Sequence, residues 1–377
     1  MIRVSFEPLA DVETLGSQWR GLEIASNPSF YTTWTWMHAW LLSLPSLQNV
    51  FIASLRHGEV LIGLAIVAIA RRKRFGVPVR QVFLNQFGDP VYDSLFIEFN
   101  GVLSRREHNA AALDALIEAL IERPPGDGWD ELHLAGIQSY ALAKRVGNSR
   151  GLHAETTVQP AHYVDLLSLS RQKKTYSAAL GQNTRRRVKR AIEEYEKLHG
   201  PVKLDVAPTA ELAVTYLQEL VELHQRYWVG RGETGAFANS HFLAFHRNLV
   251  MSATGQGADL IRITAGDKVL GYLYIFVAGQ VAYYYQSGFD YSLGQKHNAP
   301  GYVCLCLATE YYLKRDINTF EFLAGTEEYK TRLGHHARRL AWVVLQRPRI
   351  GLLLERSTRK VLRRGWRLLR RMREGER

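Results

Sequence analysis

The chain has 377 residues, 46% of them hydrophobic and 11% aromatic, with 48 Lys and Arg against 36 Asp and Glu. That length and apolar content support two packed cores and exclude wholesale disorder. The net charge of +12 is uneven, because residues 346–377 hold twelve Lys and Arg against three Glu; a near-neutral body with a basic tail argues against a DNA or general nucleic-acid binder.

In chain order, the first half reads as a strand at 2–6, helices at 11–26 and 33–44, and strands at 51–56, 60–70 and 79–87. A helix at 109–121 and a strand at 131–134 complete it. The second half repeats that order: a helix at 174–198, a strand at 202–206, and helices at 210–228 and 241–253. Strands follow at 259–263, 269–278 and 281–287, then a helix at 302–315 and a strand at 319–322. Gly58 and Gly266 mark matching hairpin turns. The expected fold is therefore α/β (α+β) and duplicated. Each unit is a mixed, mostly antiparallel sheet flanked by helices, with domains at 1–165 and 166–346 and a tail at 347–377. The N-terminus reads as a strand and a helix start rather than a signal peptide. The longest apolar run, residues 60–70, is too short to span a bilayer. A cytoplasmic protein is expected. Cys304 and Cys306 alternate with apolar residues on one helix, which reads as two core thiols and predicts no metal site.

The polar residues that interrupt the second half's apolar pattern are the candidates for chemistry. His297, Asn298, Pro300 and Gly301 lead into a helix whose free N–H groups suit a phosphate, so they are the expected cofactor-binding set; a plain helix start is the alternative. Strand alternation puts Tyr284 and Gln286 on one face, able to orient a reacting amide, with cross-strand aromatic packing as the alternative. Glu321 lies between two core phenylalanines and reads as a general base or as one partner of a salt bridge. Glu327 is a second candidate base, and Lys330 a group that neutralises a phosphate or an oxyanion. Trp228, Arg231, Asp290 and Tyr329 are the expected substrate-binding residues, with Arg231 clamping an anionic group. His224, one turn before Trp228, reads as structural.

Together, Trp228, Arg231-Gly232, Gly235-Ala236-Phe237, Gln286-Ser287-Gly288-Phe289-Asp290, Pro300-Gly301, Phe320 to Gly325, Glu327 and Tyr329-Lys330 resemble the bacterial GNAT acyltransferases of the CelD/BioF2-like group. That group is related to the Fem-type aminoacyl transferases. The resemblance covers residues 174–334 well and the first half more weakly, through Asn27 to Phe30 and Trp34, Trp36 and Trp40. It implies tandem GNAT-like domains and transfer of an acyl group from acetyl-CoA to an amino sugar or lipid-linked saccharide of an exopolysaccharide, holdfast or cell-envelope precursor. The sequence departs from the group at Thr326, where relatives tend to have Asp, and at Glu328, where they often have Pro. It also lacks the glycine-rich phosphate loop of ordinary GNAT enzymes. Two alternatives stand beside this reading: a Fem-like transferase using aminoacyl-tRNA, and an inactive module binding cyclic di-GMP or polysaccharide.

The tail reads as a basic amphipathic helix, with Leu354, Leu362, Trp366 and Leu369 near one face. It implies contact of residues 350–377 with an anionic membrane surface, and a peripheral place at the inner membrane. The family resemblance also implies cyclic di-GMP as a further partner, whose phosphates the tail arginines, or Arg185, Arg186, Arg187 and Arg190, could hold.

Overall fold

A computed structural model describes residues 2–74, 77–126, 128–138, 141, 150–349 and 351–352. The amphipathic helix expected for the tail lies outside the described residues.

One mixed sheet runs through the molecule. The first half supplies β1 (Ile2–Pro8), β2 (Val50–His57), β3 (Val60–Arg74), β4 (Val77–Leu84), β5 (Leu103–Ser104), β6 (Glu131–Ile137) and β7 (His153–Asp165). The second supplies β8 (Val202–Val206), β9 (Ala258–Ala265), β10 (Lys268–Ala278), β11 (Val281–Phe289), β12 (Thr319–Ala324) and β13 (His336–Gln346). Their order is β1-β2-β3-β4-β6-β13-β7-β12-β11-β10-β9-β8, with β5 beside β3. The order is symmetric about its centre. Parallel pairing of β4 with β6 answers that of β11 with β12. The last strand of each half is exchanged: β7 pairs with β12, β13 pairs with β6, and β7 and β13 pair with each other from His153↔Gln346 to Tyr163↔His336. Neither half completes its sheet alone.

The helices follow the same duplication. α1 (Val12–Glu23) and α2 (Trp34–Ser43) follow β1, and α3 (Asn109–Glu122) precedes β6. After β7 come α4 (Leu166–Arg171), α5 (Tyr176–Ala179) and α6 (Gln182–His199). The helix expected over 174–198 is thus broken. Thr175 caps the Ala178 N–H, Leu180 is extended, and α6 starts afresh after Gly181. α7 (Ala210–Val229) and α8 (Ser240–Ala253) lie between β8 and β9, α9 (Pro300–Leu313) between β11 and β12, and α10 (Glu328–Leu333) before β13. β7 and β13 themselves were not anticipated from sequence.

The sheet separates the cores of the second half. On one face α7 and α8 pack with α1 and α2 against Tyr272, Tyr274, Phe276, Tyr283 and Tyr285; on the other, α4, α5, α6 and α9 cover Leu273, Ile275, Tyr284, Phe320 and Phe322. The first face joins the halves through aromatic rings. Phe30 stacks on Phe276 with centroids 4.2 Å apart, and Trp36 meets Phe245 edge-on at 5.0 Å. Such pairs contribute about 0.5–1.5 kcal/mol each beyond the area they bury.

Candidate active site

β11 and β12 pair only from Val281↔Thr319 to Tyr283↔Glu321, although β11 continues to Phe289 and β12 to Ala324. The two strands splay beyond that point. A register shift adds to the opening: Tyr274 faces Gln286 while Ile275 faces Tyr284, which leaves Tyr285 as the extra residue of a bulge. The bulge breaks the simple alternation expected for this strand, and the Tyr284 and Ser287 hydroxyls meet at 2.5 Å.

A cavity of about 580 Å³ fills the splay, within the range of small-molecule sites. It reaches both faces of the sheet. From the α6–α9 face come Arg187 of α6, Asn298, and Gly301 and Tyr302 in the first turn of α9; from the α7–α8 face come Phe96 and Glu98 of the first half with His224 and Trp228 of α7. Tyr284, Gln286, Ser287, Phe322 and Ala324 line the passage between them.

The α6–α9 side suits an anion. α9 begins with Pro300 at its first position and no side chain caps it, so the N–H groups of its first turn have no partner within the helix. Arg187 is exposed and lies 4.4 Å from the Tyr302 ring centroid, which holds a cation beside those N–H groups. The lead-in loop is fixed from α6. Glu194 accepts the Gln295 and His297 N–H groups at 2.7 and 2.9 Å, and Tyr195 donates to Asn298 Oδ1 at 2.8 Å.

The α7–α8 side is rimmed by rings and holds an acid. Trp228 Nε1–H donates to His224 Nε2 at 3.0 Å, and burial lowers the His224 pKa, against the pull of its bond to Gln225; the ring is a neutral acceptor that positions the indole. Glu98 Oε2 accepts the Ala324 backbone N–H at 2.7 Å. Burial pushes the Glu98 carboxyl up to about 7, opposed by the Ala324 N–H and by Lys330. Lys330 is buried, donates to the Ala324 carbonyl and lies 3.3 Å from Glu327 Oε2. Backbone strain gathers here: Phe96, Phe99 and Leu323 all have positive φ, at 49°, 48° and 61°. Such residues persist only where the surroundings hold them, and they concentrate at functional sites.

The structure thus brings Trp228, Tyr284, Gln286, Asn298, Gly301, Glu327, Tyr329 and Lys330 to one cavity. It places the other five candidates elsewhere. Glu321 is fully buried behind the cavity wall, with Arg338 Nη2 3.0 Å from Oε1; burial pushes it up to about 8 against the pull of that arginine. The arginine beside it, expected as the alternative to a catalytic role, lies on β13. Arg231 stacks over Tyr227 at 4.5 Å, outside the cavity lining. Asp290 closes a turn by accepting the Ser292 N–H and hydroxyl at 2.8 and 2.6 Å. His297 and Pro300 shape the loop and helix start without lining the cavity. The sequence reading missed Glu98, Ser287 and Tyr302, and had noted Arg187 only as part of a basic cluster.

Residues 182–331 match a family model described as an acetyltransferase (GNAT) domain. No curated protein sequence matches the chain. Among solved structures, FemX has a TM-score of 0.57 at 9% identity, over 87% of this chain and 95% of that one. A conserved protein of unknown function from Bacteroides thetaiotaomicron VPI-5482 has a TM-score of 0.56 at 9% identity, over 92% and 100% of the two chains. L-PGS from Bacillus licheniformis has a TM-score of 0.51 at 10% identity, over 90% and 93%. At these identities the likeness is one of fold.

Proposed function

We propose that this chain, whose residues 182–331 match a GNAT domain model, is an N-acyltransferase moving an acetyl group from acetyl-CoA to an amino-sugar unit of an exopolysaccharide or cell-envelope precursor. The observation that carries this reading is the cavity in the β11–β12 splay, which offers anion-binding groups from one face of the sheet and rings from the other. Arg187 and the first-turn N–H groups of α9 would hold the donor's phosphates, the role expected of this helix start from its free N–H groups.

The thioester would lie in the passage beside Tyr284, Ser287 and Gln286. Burial raises the pKa of the Tyr284 hydroxyl, which keeps it protonated and able to donate to developing charge. The acceptor amine would enter from the face of Phe96 and Trp228, whose rings suit the apolar face of a sugar. The thioester supplies the driving force, so positioning two substrates on opposite sides of one opening accounts for most of the work. No nucleophilic side chain is needed for direct attack.

The test is free-thiol release on mixing the purified chain with acetyl-CoA and glucosamine, with the amide product identified by mass spectrometry. Thiol release in step with N-acetylated sugar supports the proposal. Acetyl-CoA left intact with a panel of amino sugars contradicts it.

A further inference from the structure

The gap between β11 and β12 has a counterpart in the first half, where β4 and β6 pair only from Gln81↔Glu131 to Phe83↔His133. There the gap is filled. Asn100 donates its backbone N–H to the Gly136 carbonyl of β6 at 3.0 Å and its side-chain Nδ2 to the Leu84 carbonyl of β4, also at 3.0 Å. Asn85 then ties its own Nδ2 to Asn100 Oδ1 at 2.7 Å. The plug approaches β6 so closely that a Cβ on Gly136 would lie 2.6 Å from the Ile97 carbonyl oxygen and 2.9 Å from Glu98 Cα. Both asparagines are buried. The segment that closes one splay is therefore rigidly fixed, and Glu98 projects from it into the other.

We propose that Glu98 is the catalytic base of the acyl transfer, so that the active site is composite: donor and passage from the second half, base from the plug of the first. Three geometric facts carry this. Glu98 lines the cavity from a segment whose Ile97 and Phe99 pack in the core of the α7–α8 face, whereas α9 packs in the core of the other face. Its Oε2 is anchored by the Ala324 N–H, which orients the carboxylate at the end of β12. The other cavity-lining carboxylate, Glu327, is exposed and paired with Lys330, whereas Glu321 is sealed off against Arg338. A carboxyl group that titrates near neutrality also matches the task of a base at that pH.

In the step inferred, the acceptor ammonium gives one proton to the Glu98 carboxylate. The freed nitrogen lone pair attacks the thioester carbonyl carbon and forms the C–N bond. The C–S bond breaks with its electron pair on sulfur, and the sulfur takes the second proton from nitrogen. Glu98 returns its proton to solvent on product release. Gly136 is a positioning residue in this scheme, because it seats Ile97 and Glu98.

The inference rests on the proposed acyl transfer, and its test separates the two. In the full chain, Glu98→Gln is compared with wild type for acetyl-CoA binding by calorimetry and for thiol release with glucosamine or hydroxylamine at neutral pH. Glucosamine is largely an ammonium there and must be deprotonated, whereas hydroxylamine is largely neutral. The expected result is unchanged acetyl-CoA affinity, kcat/KM for glucosamine lowered on the order of 10²–10⁴-fold, and a much smaller loss with hydroxylamine. Equal losses with both amines would assign Glu98 a structural role, and undiminished turnover of glucosamine would remove it from the reaction; either overturns the proposal. If wild type fails to bind acetyl-CoA or to release thiol with either amine, the acyl-transfer reading falls and the base with it. Gly136→Ala provides a second variant that keeps the carboxylate: displaced Glu98 predicts lower kcat with little change in acetyl-CoA affinity, and unchanged kcat counts against the role of the plug.

Discussion

Asn85 Nδ2 lies 2.7 Å from Asn100 Oδ1, and this bond locks the segment that closes in the first half the gap left open between β11 and β12 in the second. Although the fold is duplicated, the open splay is not. The chain should bind one acetyl-CoA, not two, which calorimetric stoichiometry measures directly. Asn100→Ala leaves the Leu84 carbonyl without its side-chain donor and removes the acceptor of the Gly101 N–H and of Asn85 Nδ2, and should cost about 1–3 kcal/mol of stability. A denaturant titration checks it.

Arg187 stands beside the uncapped first turn of α9. A hydrogen bond to a charged group is worth about 1.5–3 kcal/mol, so Arg187→Ala should weaken acetyl-CoA binding by roughly 10- to 100-fold. Desulfo-CoA should lose as much, because both share the phosphates. An unchanged affinity would move the phosphates elsewhere.

Gly325 follows β12 with φ +145°, and a Cβ there would lie 2.1 Å from Glu327 Oε2 and 2.6 Å from Lys330 Nζ. Gly325→Ala should therefore push Lys330 off the Ala324 carbonyl and shift the residue whose own N–H holds Glu98. A stability loss of about 1–3 kcal/mol is expected from the backbone conformation, together with a fall in kcat. Thermal unfolding and steady-state kinetics read the two effects separately.

The pH dependence follows from Glu98. Its carboxyl must be ionised to take a proton, and burial holds its pKa up at about 7. kcat/KM should rise with pH through about 7, since that ratio reports the free enzyme. In Glu98→Gln that ascending limb should vanish, leaving only the titration of the amine. A limb that persists unchanged would belong to another group.

Glu321 makes a separate prediction about stability. Its folded pKa, about 8, lies above the ordinary glutamate value of 4.5 because burial outweighs Arg338. The folded chain then holds a proton that the unfolded chain releases. Its contribution is fully present below about pH 4.5 and is lost as pH rises towards 8. Glu98 acts in the same direction up to about 7. Glu321→Gln should flatten the decline in unfolding free energy between pH 5 and 8, read from urea titrations, by an amount on the order of a few kcal/mol. An unaltered slope would show that Glu321 is ionised in the folded chain.

Much of the fold was legible because its elements carry their own signals. The order of strands and helices in each half followed from apolar periodicity and from turns such as Gly58 and Gly266, both with positive φ. The central strands were not legible. β7 reads HAETTVQPAHYVD, polar at alternate positions and interrupted by Pro160, and β13 reads HARRLAWVVLQ with a charged start. Each gains its place from the other and from a sheet belonging to the opposite half, information no local window contains. The break before α6 was visible in principle, since Thr175 and Gly181 are ordinary helix-start residues.

The site divided in the same way. Residues on β11 and around the starts of α9 and α10 could be found because polar groups interrupted apolar elements. Glu98 could not be placed, because its partner Ala324 is 226 positions away and its loop has no periodicity. The one local signal was a single acid within Phe96-Ile97-Glu98-Phe99-Asn100. Glu321 attracted attention for the same alternation that buried it: its neighbours Phe320 and Phe322 face the α9 core, which turns Glu321 to Arg338 and away from the cavity.

The most direct test of the central claim is calorimetric titration of the full chain with acetyl-CoA, with desulfo-CoA and cyclic di-GMP in parallel. The account predicts saturable one-to-one binding of both CoA compounds, weakened in Arg187→Ala and retained in Glu98→Gln. Binding of neither CoA compound would contradict it, and saturable binding of cyclic di-GMP alone would make the chain a nucleotide sensor instead of an acyltransferase.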